Sequence, residues 1–215
     1  MAPPLELIIF DCDGVLVDSE PLALRVCAGL GSELGWPLTE EEIIDRFLGR
    51  SESAVGEQIA ARLGDAAAAV WAEQYVRRLN EAIDAGLTAV PGITEALDAL
   101  NVPHCIASSG SHAKMRRTLG RTGLYDRFAG RIFSAAEVPR GKPAPDLFLH
   151  AAARSGVDPE RCAVVEDSQY GVRAARAAGM RSYGYAGGLT PAAWLEGPGT
   201  VVFDDMRKLP ALLEG

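Results

Sequence analysis

The sequence predicts an α/β protein: a doubly wound parallel sheet into which an all-helical subdomain is inserted. Three observations carry this. Short apolar, β-branched runs recur along the 215 residues with helical stretches between them, the alternation of a parallel sheet covered on both faces. The interval between the first two runs, residues 11–102, breaks that rhythm, because it holds several helical patterns and no convincing strand. Acids, hydroxyls and a lysine cluster just after the runs, where the carboxyl ends of strands form the ligand crevice of an open sheet.

The first strand is expected at Leu5–Phe10. The inserted subdomain then spans about 17–88, with hinges near Leu16–Asp18 and Leu87–Pro91 and the core made of 1–16 and 89–215. Within it Thr39-Glu40-Glu41-Glu42 reads as a capping box that opens a helix. Ala72, Val76, Leu79 and Ile83 recur at helical spacing and predict one apolar stripe on a longer helix. Gly86 and Pro91-Gly92 close the segment. The remaining strands are expected at Pro103–Ala107, Arg131–Ser134, Cys162–Asp167, Arg181–Tyr185 and Thr200–Phe203. Neither an internal repeat nor a low-complexity tract interrupts them.

Composition narrows the function. With 21 basic and 29 acidic side chains the net charge is -8, the wrong sign for coating a phosphate backbone, so nucleic acid is not expected as a partner. Cys12, Cys27, Cys105 and Cys162 show neither C-x-x-C pairing nor zinc spacing and read as reduced thiols. The start lacks a basic n-region, and its apolar run is broken by Glu6, so neither a signal peptide nor a membrane span is expected. A cytoplasmic protein follows, expected as a monomer with a homo-oligomer as the alternative.

The strand ends share one chemistry. Asp11-Cys12-Asp13-Gly14 follows the first run, and a sharp turn at Gly14 brings both carboxylates to one pocket. If Glu166 and Asp167 end a neighbouring strand, four acids converge and require a compensating cation, for which a hard divalent ion such as Mg²⁺ is suited. An isolated D-x-D would be read as a turn cap; four acids after two strands argue otherwise. Ser108-Ser109-Gly110 offers hydroxyls and amides at a strand-to-helix turn, and Lys142, in the loop of Pro143 and Pro145, offers a point charge for phosphate. Together these groups make a site for phosphoryl transfer.

Phe10–Glu20, Ser108–Ser111, Gly141–Asp146 and Val165–Ser168 leading into Gly171 resemble, in order and spacing, the four motifs of the haloacid dehalogenase superfamily. The likeness is greatest to the branch with a helical cap that includes phosphoglycolate-phosphatase-like and β-phosphoglucomutase-like proteins. It implies a Rossmann-like core, a cap that closes over the site, and hydrolysis of small phosphorylated metabolites such as sugar or polyol phosphates. It also implies roles. Asp11 is the nucleophile that forms an aspartyl-phosphate, and Asp13 the general acid and base. Ser108 and Ser109 bind the phosphoryl oxygens with Lys142, and Mg²⁺ is held by Asp11, the Asp13 carbonyl, Glu166 and Asp167. Dehalogenation is disfavoured, because a halide leaves without the proton that Asp13 supplies.

The alternative within this resemblance is a phosphomutase. The arginine and histidine that grip the second phosphate there would fall on Glu52 and near Ala23, which favours hydrolysis, although Arg50 lies two residues off that register. Arg50 and His112 are the candidate substrate contacts. Of the other readings, a signalling receiver would need neither Asp13 nor the helical insertion, and a catalytically silent binding protein would not need the full set of site residues. His104, His112 and His150 lack the G-x-S-x-G elbow of a serine hydrolase. Trp71 and Tyr75 are expected to pack inside the insertion, and Cys12 to be an inert buried thiol between two carboxylates.

Overall fold

The computed structural model describes residues 3–50 and 52–214, with Glu52 described in its backbone only. Strand β1 (Leu7–Phe10) is followed by four helices: α1 (Glu20–Glu33), α2 (Glu40–Phe47), α3 (Glu52–Leu63) and α4 (Asp65–Gly86). Helix α5 (Ile93–Ala99) leads to β2 (His104–Ser108), α6 (His112–Arg121), α7 (Tyr125–Phe128) and β3 (Ile132–Ser134). Then come α8 (Asp146–Ser155), β4 (Cys162–Glu166), α9 (Gln169–Ala177) and β5 (Arg181–Tyr185). Helix α10 (Ala192–Leu195), β6 (Thr200–Phe203) and α11 (Leu209–Glu214) complete the chain. Among the described residues no helix is long and apolar enough to cross a membrane.

The chain divides into two units, Met1–Asp18 with Thr88–Gly215 and Ser19–Leu87. The sheet unit thus keeps two residues on the incoming side, and one on the outgoing side, beyond the division expected at 16/17 and 88/89. Backbone pairing is the reason. The Gly14 N–H donates to the Val17 carbonyl, Asp18 N–H to Thr88 and Val90 N–H to Leu16, so the two connecting strands are tied together before the helices begin.

The sheet is parallel throughout, with order β3-β2-β1-β4-β5-β6. The chain winds outward from β1 in one direction to β3 and in the other to β6, so the strand order reverses between β1 and β4, where an open sheet leaves its crevice. Leu7, Ile9, Cys105, Ala107, Cys162 and Val164 turn one face onto Leu147, Phe148 and Ala151 of α8 and Ala174 and Ala175 of α9. The opposite face carries Phe10, whose ring meets Phe128 edge-on at 6.3 Å and His104 at 6.2 Å. Burial on both faces explains why β1 is a run of four apolar residues instead of an alternating pattern.

The helical unit has its own core, in which Trp36, Phe47 and Trp71 meet with ring centroids 6.0–6.5 Å apart. The capping box at α2 forms: Glu42 N–H donates to the Thr39 hydroxyl and Thr39 N–H to the Glu42 carboxylate. The stripe on α4 is displaced from the expected one. Trp71 is buried and Tyr75 half-buried, whereas Val76 is 57% exposed and Ala72 is exposed, with Leu79 and Ile83 buried as expected. The larger apolar area of Trp71 sets the rotation of the helix, since burying an indole outweighs burying a valine.

Candidate active site

The sheet register decides which strand-end residues meet. Phe10 is level with Val165, so Asp11 leaves β1 beside Glu166, and the Asp11 N–H donates to the Val165 carbonyl at 3.0 Å. One carboxylate oxygen from each of Asp11, Glu166 and Asp167 lies within 4.8 Å of the others, and all three residues are buried. Lys142 reaches the same spot from the loop before α8. Its ammonium donates to Asp11 Oδ1 at 2.6 Å and to Glu166 Oε1 at 2.5 Å, with its Nζ 4.9 Å from the centre of the Phe148 ring.

These charges act on one another. Burial pushes the Asp11 carboxyl up from its ordinary 3.8 to about 7, against the pull of the Lys142 ammonium, with Glu166 and Asp13 adding to the rise. Burial works against the Lys142 charge too, but Asp11 and Glu166 outweigh it and hold the ammonium above the ordinary lysine range. Asp11, Glu166 and Asp167 thus gather three carboxyl groups around one buried spot beside Lys142. Such an oxygen-lined donor set suits a hard divalent cation, so the residues present can hold one.

Glu166 is fixed at both ends. Its Oε2 accepts from the Ser168 N–H and hydroxyl, each at 2.9 Å, while Oε1 takes Lys142. Ser168 caps α9 by accepting from the Gly171 N–H, which leaves the Glu166 carboxylate against the positive end of that helix. Gly171 is there for space: a Cβ on it would overlap the Glu166 carboxyl group.

Asp13 is carried round by a turn that Gly14 makes possible at φ 74°, and Leu16 and Val17 N–H groups close it on the Cys12 carbonyl. Its carboxylate stands outside the triad of Asp11, Glu166 and Asp167 and takes the ammonium of Lys114 at 2.7 Å. Asp13 Oδ2, Ser108 Oγ and the Lys114 side chain converge at Gly110: a Cβ there would lie 3.8, 3.6 and 3.5 Å from them. Ser108 is buried at the end of β2 and its hydroxyl accepts from the Gly110 N–H; Ser109 is exposed.

Two further sequence candidates are His112 and Arg50. His112 opens α6 and lines a cleft beside β3, with its Nε2 2.8 Å from Glu137 Oε1. Arg50 belongs to the helical unit, in the turn after α2, where its N–H donates to the Phe47 carbonyl. The expectation placed on Glu52 concerns a side chain outside the described residues. Lys114 was not anticipated from sequence. A signal for it exists, because a lysine three residues after the N-cap Ser111 opposes the helix dipole unless a carboxylate offsets it. Cys12 is buried, and burial first, then Asp13 and Asp11, raise its thiol well above the ordinary 9.0, so it is inert.

Comparison with known proteins agrees with this geometry. The family model for haloacid dehalogenase-like hydrolases matches residues 5–179, from β1 through α9. The 6-phosphogluconate phosphatase of Escherichia coli is 33% identical over 180 residues, covering 83% of this chain and 81% of that protein. A crystal structure of a haloacid dehalogenase-like protein from Agrobacterium tumefaciens superposes with a TM-score of 0.87 at 38% identity, over 98% of each chain. That of a haloacid dehalogenase family hydrolase from Deinococcus radiodurans, solved with phosphate and sodium bound, gives a TM-score of 0.80 at 33% identity, covering 98% of this chain and 96% of that one. A buried acidic triad bridged by a lysine at the strand-order reversal, within a match that spans the whole motif-bearing core, establishes that this chain belongs to the haloacid dehalogenase-like hydrolase family.

Proposed function

We propose that the chain is a Mg²⁺-dependent phosphatase of small phosphorylated metabolites, sugar or polyol phosphates among them, working through an aspartyl-phosphate. The observation that carries this reading is the Lys142 ammonium held between Asp11 and Glu166 beside Asp167, with Asp13 one turn away. The E. coli relative named as a 6-phosphogluconate phosphatase, and the phosphate bound in the D. radiodurans structure, support the substrate class.

In this reading an Asp11 carboxylate oxygen attacks phosphorus in line, the bond from phosphorus to the ester oxygen breaks, and Asp13 gives its proton to the departing alkoxide. Asp13 then takes a proton from the water that attacks the aspartyl-phosphate, which frees the Asp11 carboxylate and inorganic phosphate. Lys142 restrains Asp11 and offsets phosphoryl charge, while Ser108 and the amides after it receive the transferring oxygens. Lys114 holds Asp13 toward Ser108 and Gly110. Asp11, Glu166 and Asp167, with the Asp13 carbonyl, would hold Mg²⁺, which supplies Lewis-acid neutralisation of the phosphoryl group.

Steady-state release of phosphate from a panel of phosphorylated sugars and polyols tests the reading. Wild type should release phosphate and the dephosphorylated product only with Mg²⁺, and Asp11→Asn should release none. Acid-quenched wild type should carry one phosphoryl group that Asp11→Asn lacks. Retained activity in Asp11→Asn, or an isomerised sugar phosphate as the main product, would overturn it.

A further inference from the structure

We propose that the cleft beside β3 is a binding site for a small dianion, a phosphate group or a dicarboxylate, clamped by Arg116 and Arg154. The cleft has a volume of about 250 Å³ and is lined by Arg116, Arg154, His112, Tyr125 and Glu137 around Ile132 and Phe133 of the strand edge. That is below the roughly 300–1,000 Å³ of pockets that enclose drug-sized molecules, which points to a compact ligand. This inference concerns a separate place on the sheet unit and does not depend on the phosphatase reading.

The charge arrangement identifies the ligand. Arg77, Arg78, Arg127, Arg140, Arg161 and Arg207 each hold a carboxylate of the protein. Arg116 and Arg154 come from different helices, α6 and α8, to one concavity, and among the described residues neither is paired with an acid. Two guanidiniums lining one concavity offer the forked N–H donors that match a carboxylate or phosphate.

The lining is also built in advance. Arg116 lies over the Tyr125 ring, its Cζ 5.3 Å from the centroid, which limits the freedom it would lose on binding. Glu137, the acid of the lining, is already engaged: Oε1 lies 2.8 Å from His112 Nε2 and accepts from the Ser134 N–H, and Oε2 lies 3.1 Å from His150 Nε2. Both of its oxygens thus already have partners within the protein. The Ser134 hydroxyl donates to the Gly110 carbonyl at 2.7 Å, so the wall of the cleft is tied to the loop that carries Ser108 and Ser109.

The test is amide NMR of the ¹⁵N-labelled full chain with Mg²⁺ present, titrated with inorganic phosphate and separately with malonate at constant ionic strength. The Gly130 and Ile132 amides should move along a saturating curve with at least one of the two probes, and the tighter probe tells which dianion the cleft favours. Arg116→Gln with Arg154→Gln should weaken that curve at least tenfold, and each single variant should weaken it measurably, while the phosphate response of Ser108 and Ser109 persists. All three variants alter exposed side chains, so their remaining amide shifts should match wild type. Linear, unsaturating shifts at Gly130 and Ile132 with both probes, or saturation unchanged in the double variant, would refute the site.

Discussion

Replacing Gly171 by alanine exchanges one hydrogen for a methyl group at the third residue after the Ser168 cap, yet the structure leaves no room for it. The new Cβ would overlap the Glu166 carboxyl group, which is 1% exposed and held by three hydrogen bonds. Ordinary carbon contacts need about 3.5–4.0 Å, so the carboxylate must move by roughly an ångström or more, and Lys142 and Ser168 cannot both follow it. Breaking a buried ion pair costs about 3–5 kcal/mol, a large share of the ~5–15 kcal/mol that holds a domain folded. At about 2–4 °C per kcal/mol for a chain of this size, the melting temperature should fall by roughly 6–20 °C. Circular dichroism during heating reads this, and phosphate release should drop with it. Gly120→Ala on α6, where a Cβ meets nothing within 4 Å, is the control and should be neutral or stabilising by up to about 1 kcal/mol. If Gly171→Ala melts with wild type and releases phosphate at the wild-type rate, the claim that this glycine exists to seat Glu166 is wrong.

Lys142→Met removes the ammonium between two buried carboxylates, so phosphate release should be lost and stability should fall by about 3–5 kcal/mol in metal-free buffer, with added Mg²⁺ restoring part of the stability; an unchanged urea midpoint would contradict the ion-pair account. Lys114→Met should lower kcat by about 10–100-fold with KM little changed, because it frees Asp13, the acid and base of the proposed mechanism; a change confined to KM would make Lys114 a substrate contact instead. Burial pushes Cys27 and Cys105 up to about 12 and Cys162 to about 11, so thiolate is scarce at neutral pH and appears only as pH climbs toward those values. At pH 8 a thiol reagent should therefore label none of the four cysteines in the native chain and all of them in denaturant; rapid native labelling of any one would show that its burial is not maintained.

What could be read directly from the sequence was the chemistry that depends on neighbours along the chain. The apolar runs mark strands because burial on both faces demands them, and the Thr39–Glu42 box marks a helix start because its two hydrogen bonds close over three residues. The acids after β1 and β4 and the lysine before α8 are recognisable by type and order. Distance along the chain hid the rest. Lys142 meets Asp11 across 131 residues and Lys114 meets Asp13 across 101, so which ammonium serves which carboxylate follows from strand register and helix placement. Folding likewise brings Glu137 to His112 from 25 residues away, a contact that its place after Ser111 does not show. On α4 Trp71 and Tyr75 pack inward as expected, but Ala72 and Val76 turn outward, since periodicity allows several rotations of a helix and only the partner core selects one. Local pattern alone determined the strands, the helix start at Thr39 and the types of side chain offered at the strand ends. Tertiary structure decided the pairings, because a charge is set by whatever lies a few ångströms away, and in this sheet those neighbours come from remote segments.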